Sequence, residues 1–270
     1  MADRALAACE PLGAVRRVAN AHHLPNQILS WAEARMVDHV QVEPVLLDTG
    51  GALARLEAQG VLVSEHLLVH NGDLVHDIDL REPWEEHLRT RADATLVVVD
   101  RPRVNTVVAK GDDFAGVLGH PRGPARPGPG DRARTFSGIA FYRRAIFSGR
   151  SDLPWSVKEL WHDLLEQGRP IRVWEAPSAS RWEDLGSPGD FARAVREEMF
   201  RREMKSWIDP GAEVAPSARI LSASAVEFGA SVGEGATVEN AILLPGAVVH
   251  AGETVRGVLR NLGGDLGFDS

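Results

Sequence analysis

The sequence predicts an α/β protein: a mostly parallel sheet with helices on both faces, followed by a short parallel β-helix. Two observations carry this. From about residue 15 to 100, short apolar runs alternate with helical patterns, the order that builds a sheet covered on both sides. After Trp207 the period changes to six, with Ile208, Val214, Ile220, Val226, Val232, Val238 and Leu244 in series. Neither helix nor ordinary strand repeats at six, whereas the flat faces of a parallel β-helix do.

Taken in order, "VRRVAN", "HVQVEPV", "HLLVHNGD" and "ATLVVVD" read as strands. Between them, "LPNQILSWAEARM", "TGGALARLEAQ" and "DLREPWEEHLRTRAD" have amphipathic helical spacing. Residues 120–132, "HPRGPARPGPGDR", are too rich in Pro and Gly for regular structure. "ARTFSGIAFY" is a strand, "PWSVKELWHDLLEQG" a helix and "PIRVWEA" a strand. A last helix starts with Ser187 as N-cap, Pro188 in the first turn and Asp190 at the capping-box position. In the hexad segment, small residues at Ala212, Ala218, Ser224, Ala230 and Ala236 suit the corners of the coil. The expected division is residues 1–205 for the sheet domain and 206–270 for the β-helix.

Composition excludes several classes. With 30 Lys+Arg against 38 Asp+Glu and a net charge of −8, the chain is not built to coat nucleic acid or anionic lipid. A single cysteine, Cys9, leaves no internal disulfide and suits a reducing compartment. No apolar run approaches the roughly 20 residues that span a bilayer. A cytoplasmic protein is expected, with no membrane or nucleic-acid partner.

Three stretches carry candidate chemistry. Thr49, Gly50 and Gly51 stand between an apolar run and a helical pattern, where two glycines weaken both neighbours. They serve either a tight turn or a backbone that approaches a ligand. Asn71, Gly72 and Asp73 end a strand, and a carboxylate at the carboxyl end of a parallel strand suits a hard cation. The same three residue types also make plain turns. Asp184 precedes a helix whose cap is already Ser187, so it is available to share Mg²⁺ with Asp73. The adjacent His22 and His23 point to opposite faces of a strand and do not share a metal. His66, His70 and His76 are expected to be surface or hydrogen-bonded, and Asp79 to cap the next helix.

"NAHHLPNQI", "EPVLLDTGGAL", "LLVHNGD", "TFSGIAFY" and "WEDLGSP" resemble, in order and spacing, the motifs of bacterial sugar-1-phosphate nucleotidyltransferases. The resemblance runs from about Ala5 to Lys205, and the tail is similar to the left-handed β-helix of several members. It implies a Rossmann-like domain that joins a nucleoside triphosphate to a sugar 1-phosphate with release of pyrophosphate. By that resemblance Thr49, Gly50 and Gly51 bind the nucleotide, and Asn71 and Gly72 lie beside the sugar and ribose. Gly138 lies near the sugar, and Asp73 and Asp184 are the catalytic residues that hold Mg²⁺. Glu43 stands where the family carries an acidic or amide residue near the base. A carboxylate there favours guanine, which offers two N–H donors, so guanylyl transfer to mannose 1-phosphate is expected. "LLDTGG" also resembles N-acetylmuramate-1-phosphate uridylyltransferases, which leaves uridylyl transfer as the alternative.

The family's opening strand, its G-x-G-x-R loop and a following Pro-Lys are missing, as is its Glu-Lys-Pro near the sugar. The chain is expected to be an N-terminally truncated enzyme and a poor catalyst. The alternative is a short non-catalytic paralogue that binds a nucleotide sugar or a partner subunit. The β-helix tail is expected to pack on the domain or mediate self-association.

Overall fold

Helix α1 (Ala2–Cys9) is followed by β1 (Val18–Ala21), α2 (Pro25–Ala34), β2 (His39–Val42), α3 (Asp48–Ala58), β3 (His66–His70), β4 (Leu74–His76), α4 (Arg81–Thr90) and β5 (Ala94–Val99). Then come β6 (Val107–Lys110), β7 (Asp113–Val117), β8 (Arg132–Arg143), α5 (Val157–Glu166), β9 (Ile171–Glu175), β10 (Trp182–Asp184) and α6 (Pro188–Arg201). This is a computed structural model, and it describes residues 2–102 and 104–268. They fall into two compact units, Met1–Trp182 and Glu183–Ser270. The boundary of 205/206 read from the sequence lies inside the second unit.

In the first unit, six strands form a sheet in the order β3-β8-β5-β9-β7-β6. The expectation of a mostly parallel sheet is corrected here. Only β5 and β9 are parallel neighbours in it, because the long strand β8 runs antiparallel between β3 and β5. Residue alternation reports which face a side chain takes but not the direction of its strand, so the inversion left no mark in the sequence. β3, β5 and β9 nevertheless all point the same way, since β3 and β5 each run antiparallel to β8 and β9 runs parallel to β5.

All six residues of β5 are buried, as expected of a strand covered on both faces. Leu96 and Val98 meet Ala140, Tyr142 and α5 on one side, while Val97 and Val99 meet Ile139, Phe141 and Trp84 on the other. α5 presents Val157, Leu160, Trp161 and Leu164, spaced three and four apart and all buried. Truncating Leu160 to Ala would cost roughly 2–5 kcal/mol.

β1 and β2 form a separate parallel pair. Among the described residues, β1 and β3 therefore each keep one unpaired edge. Val18 of β1 and Leu67 of β3 pack on the same cluster, Leu56, Val61 and Leu62.

In the second unit, short parallel strands stack in three sheets. One holds β11 (Ser206–Ile208), β14 (Ser224–Val226), β17 (Ile242–Leu243) and β20 (Val258–Asn261). The next holds β12 (Glu213–Val214), β15 (Ser231–Val232) and β18 (Val248–Val249), and the third β13 (Arg219–Ile220), β16 (Thr237–Glu239) and β19 (Thr254–Arg256). Val226, Val232, Val238, Leu243, Val249 and Val255 fill the interior, and buried Ala230 and Ala236 sit among them.

The hexad series needs one correction. Leu243, not Leu244, pairs with Val226 and points inward, because the chain turns one residue early at Asn240, whose φ is 48°. β21 (Gly264–Gly267) then folds back antiparallel on β20, which protects that edge from further pairing.

α6 belongs to this unit. Its N-cap is as read from the sequence: the Asp190 N–H donates to Ser187 Oγ at 3.1 Å. Its apolar stripe of Phe191, Ala192, Val195 and Met199 packs on the outer face of the first sheet, at Ala225, Ile242 and Leu259. That sheet is therefore covered on both sides.

Candidate functional site

The carboxyl ends of β3, β5 and β9 share one end of the first unit's sheet, where ligands of open α/β sheets bind. β3 delivers Asn71, Gly72 and Asp73 there. β8 passes alongside and breaks its pairing with β5 at this level. Val97 faces Ile139 while Val98 faces Phe136, so Ser137 and Gly138 bulge out of the ladder. The bulge is anchored. Ser137 Oγ donates to the Val97 carbonyl at 2.8 Å, and the Trp182 indole N–H donates to the Ser137 carbonyl at 2.9 Å.

Gly138 has φ +81°, and a Cβ on it would stand 2.9 Å from Asn71 Nδ2. The Asn71 N–H donates to the Gly138 carbonyl at 2.9 Å. The structure thus brings Asn71 and Gly138 together, and the glycine is needed by the protein itself. Gly72 differs: no atom lies within 4 Å of a Cβ built there. Asp73 is exposed, and among the described residues its carboxylate enters no ion pair.

A histidine pair closes the base of this loop. His70 Nδ1 donates to the Asn71 carbonyl at 2.6 Å, and His70 Nε2 lies 2.8 Å from His76 Nε2. The Ile78 N–H donates to His76 Nδ1 at 3.1 Å. The chain of bonds closes only with both rings neutral, His76 carrying its proton on Nε2. Burial holds both below the ordinary value, His76 down to about 4.

Thr49, Gly50 and Gly51 fall in the first turn of α3, inside the helix. A Cβ on Gly50 would come 2.3 Å from Cε3 of Trp155, and one on Gly51 would come 2.4 Å from the Leu153 carbonyl oxygen. Packing against the segment before α5 therefore accounts for both glycines, an answer the sequence reading did not offer. Asp48 opens the helix at φ +59°, and its carboxylate accepts the Thr49 N–H at 2.6 Å.

Glu43 is 1 % exposed. One carboxylate oxygen accepts Gln41 Nε2 at 3.0 Å and the other the Leu47 N–H at 3.1 Å. It holds the loop leading into α3 from beneath. His22 Nδ1 is 2.8 Å from the Glu43 carbonyl oxygen.

In the second unit, Asp184 is exposed at the end of β10. Its Oδ1 would lie 3.3 Å from a Cβ on Gly186, while Ser187 caps α6. Among the described residues, no group of three or more His, Cys, Asp or Glu is arranged to hold a metal. A carboxylate is a hard oxygen donor of the kind Mg²⁺ takes together with phosphate oxygens and water.

Arg101 was not singled out by any motif; its only signal was its place just past the carboxyl end of β5. Its guanidinium donates to the Asp100 and Trp182 carbonyls at 3.0 and 2.9 Å. Arg132 and Arg134, at the same end of the sheet, both pair with Glu175, at 3.1 and 2.7 Å.

No family model matches the chain. It is 29 % identical over 218 residues to a mannose-1-phosphate guanylyltransferase of Mycobacterium tuberculosis (strain ATCC 25618 / H37Rv), covering 76 % of this chain and 59 % of that protein. The chain thus spans less than two thirds of that relative's length. In fold it is similar to HddC from Yersinia pseudotuberculosis, solved in complex with GMP-PN, at a TM-score of 0.54 and 17 % identity, over 72 % of this chain and 83 % of that one. A second HddC structure from the same organism matches at a TM-score of 0.54 and 18 % identity. No helix among the described residues is long and apolar enough to cross a membrane. The chain is thus similar in sequence to a sugar-1-phosphate nucleotidyltransferase and similar in fold to HddC.

Proposed function

We propose that the chain forms a nucleoside-diphosphate sugar from a nucleoside triphosphate and a sugar 1-phosphate, with guanylyl transfer to mannose 1-phosphate as the leading reaction. The observation that carries this is the exposed, unpaired Asp73 carboxylate, held beside the open Gly72 and the Asn71–Gly138 contact at the ligand-binding end of the sheet. In the reaction a sugar phosphate oxygen bonds to the α-phosphorus. The bond from that phosphorus to the β-phosphate oxygen breaks, and pyrophosphate leaves with the electron pair. No protein nucleophile is needed, so alignment and charge neutralisation do the work.

Asp73 and Asp184 hold Mg²⁺ in this reading, and the ion supplies positive charge against the phosphates. Asn71 and Gly72 line the sugar and ribose, with Gly138 fixing Asn71 in place. Thr49, Gly50 and Gly51 shape the nucleotide side by letting residues 153–155 pack closely. Glu43 acts at one remove, by fixing Leu47. Preference for guanine then rests on similarity to the mycobacterial guanylyltransferase rather than on a free Glu43 carboxylate. The second unit is a left-handed β-helix in this reading, the protein acts in the cytoplasm, and its coil mediates self-association.

Incubation with GTP or UTP, mannose 1-phosphate and Mg²⁺, followed by assay of pyrophosphate, tests the proposal. Activity with GTP that Asp73→Ala removes supports it. Preference for UTP would move the assignment to uridylyl transfer, and nucleotide-sugar binding without turnover would favour a non-catalytic role.

A further inference from the structure

We propose that Arg101 receives a phosphate group of the substrates at this site, an inference that rests on the reading above. Its backbone is fixed where the carboxyl end of β5 leaves the sheet. The Arg101 N–H donates to Asn105 Oδ1 at 2.9 Å, and Asn105 Nδ2 donates to Asp100 Oδ1 at 2.8 Å. The Thr135 hydroxyl, from β8, also donates to Asn105 Oδ1 at 2.8 Å.

The side chain is fixed as well. Its Nη2 donates to the Trp182 carbonyl, and Cζ lies 5.8 Å from the centroid of the Trp182 ring. That indole in turn bonds to Ser137, the residue before Gly138. One run of contacts therefore joins the guanidinium to the bulge that seats Asn71.

Both of the side chain's hydrogen-bond acceptors are carbonyls. They orient the guanidinium without neutralising it. Arg132 and Arg134 are already matched to Glu175, whereas no carboxylate among the described residues pairs with Arg101. A guanidinium has five N–H donors, and two are used here. The remaining donors suit a phosphate, which takes paired, charge-assisted N–H bonds. Arg101 thus supplies an unneutralised positive charge at the end of the sheet that also carries Asp73.

Isothermal titration of the full chain and of Arg101→Gln, Arg101→Met and Arg101→Lys tests this. Mannose 1-phosphate and GTP, each with Mg²⁺, are the probes, and mannose is the phosphate-free control. Circular dichroism melting checks that each variant folds. Loss of about tenfold or more in affinity is expected for the phosphate ligand that Arg101 touches, in both neutral variants. Arg101→Lys should recover part of it, with mannose unaffected. The arm that weakens tells whether the phosphate belongs to the sugar or to the nucleotide. Unchanged affinity for both in a folded neutral variant would overturn the role of Arg101 and leave the site reading standing. If the unaltered chain binds neither ligand, the site reading itself fails and this inference falls with it.

Discussion

Trp155 packs against Gly50 so closely that a Cβ there would sit 2.3 Å from Cε3 and 2.4 Å from Cζ3 of the ring. The ring cannot easily retreat, since its Nε1 donates to the Ser151 carbonyl at 2.7 Å. Gly→Ala in a helix interior normally stabilises by up to about 1 kcal/mol. Here the steric term should win, and Gly50→Ala should destabilise by roughly 1–3 kcal/mol. Replacing Trp155 with Leu in the same chain should relieve most of that loss. Thermal melts of the single and double variants check it; a Gly50→Ala chain that melts higher would show the packing to be looser than described.

The order of elements and the hexad coil could be read from the sequence because periodicity is a local property. What could not be read depends on partners far along the chain. Gly50 and Gly51 announce a close approach, but Trp155 and Leu153 lie about a hundred residues away. The N-cap of α6 at Ser187 was visible, whereas the packing of the helix on Ala225 and Ile242 was not. Glu43 looked like a ligand residue because its type fits one, and only three-dimensional structure shows its oxygens bonded to Gln41 and Leu47. The slip from Leu244 to Leu243 arises because the left-handed corner comes at Asn240, two residues after Val238, whereas the coil before it turns at Ala223, three residues after Ile220.

Gly72 and Gly138 should separate ligand effects from fold effects. Gly138 has φ +81° and meets Asn71, so Gly138→Ala should cost about 1–3 kcal/mol of stability as well as activity. Gly72 has open space around it, and Gly72→Ala should leave the melting temperature unchanged while raising KM. A large drop in melting temperature for Gly72→Ala would contradict this assignment.

Acid should weaken the fold partly through His87. It is fully buried, with Nδ1 2.9 Å from Thr95 Oγ1 and Nε2 2.9 Å from His66 Nδ1. Burial, with the neighbouring His66, pushes it from 6.5 down to about 4. A depressed histidine contributes stability that is present above pH 6.5 and lost as pH falls toward 4, because the unfolded chain takes up the proton first. The loss is on the order of a few kcal/mol. Carboxylates titrate in the same window, so the quantity to measure is the difference from His87→Gln, whose stability should fall less steeply between pH 6.5 and 4. Parallel curves would remove His87 from the account.

Cutting the chain after residue 205 should strip the coil from α6 and expose Phe191, Val195 and Met199, which pack on it. A 1–205 fragment is therefore expected to associate or precipitate at concentrations where the full chain stays dissolved. Residues 183–270 alone should keep a cooperative melt. Equal solubility of the full chain and the 1–205 fragment in sedimentation would count against α6 belonging to the second unit.

The most direct test of the central claim is Mg²⁺-dependent release of pyrophosphate from GTP and mannose 1-phosphate, comparing the chain with Asp73→Ala at matched folding. The account predicts release with formation of the nucleotide sugar, abolished by the substitution and by chelation of Mg²⁺. Release that persists in Asp73→Ala, or no nucleotide sugar from the unaltered chain at any protein concentration, would contradict it.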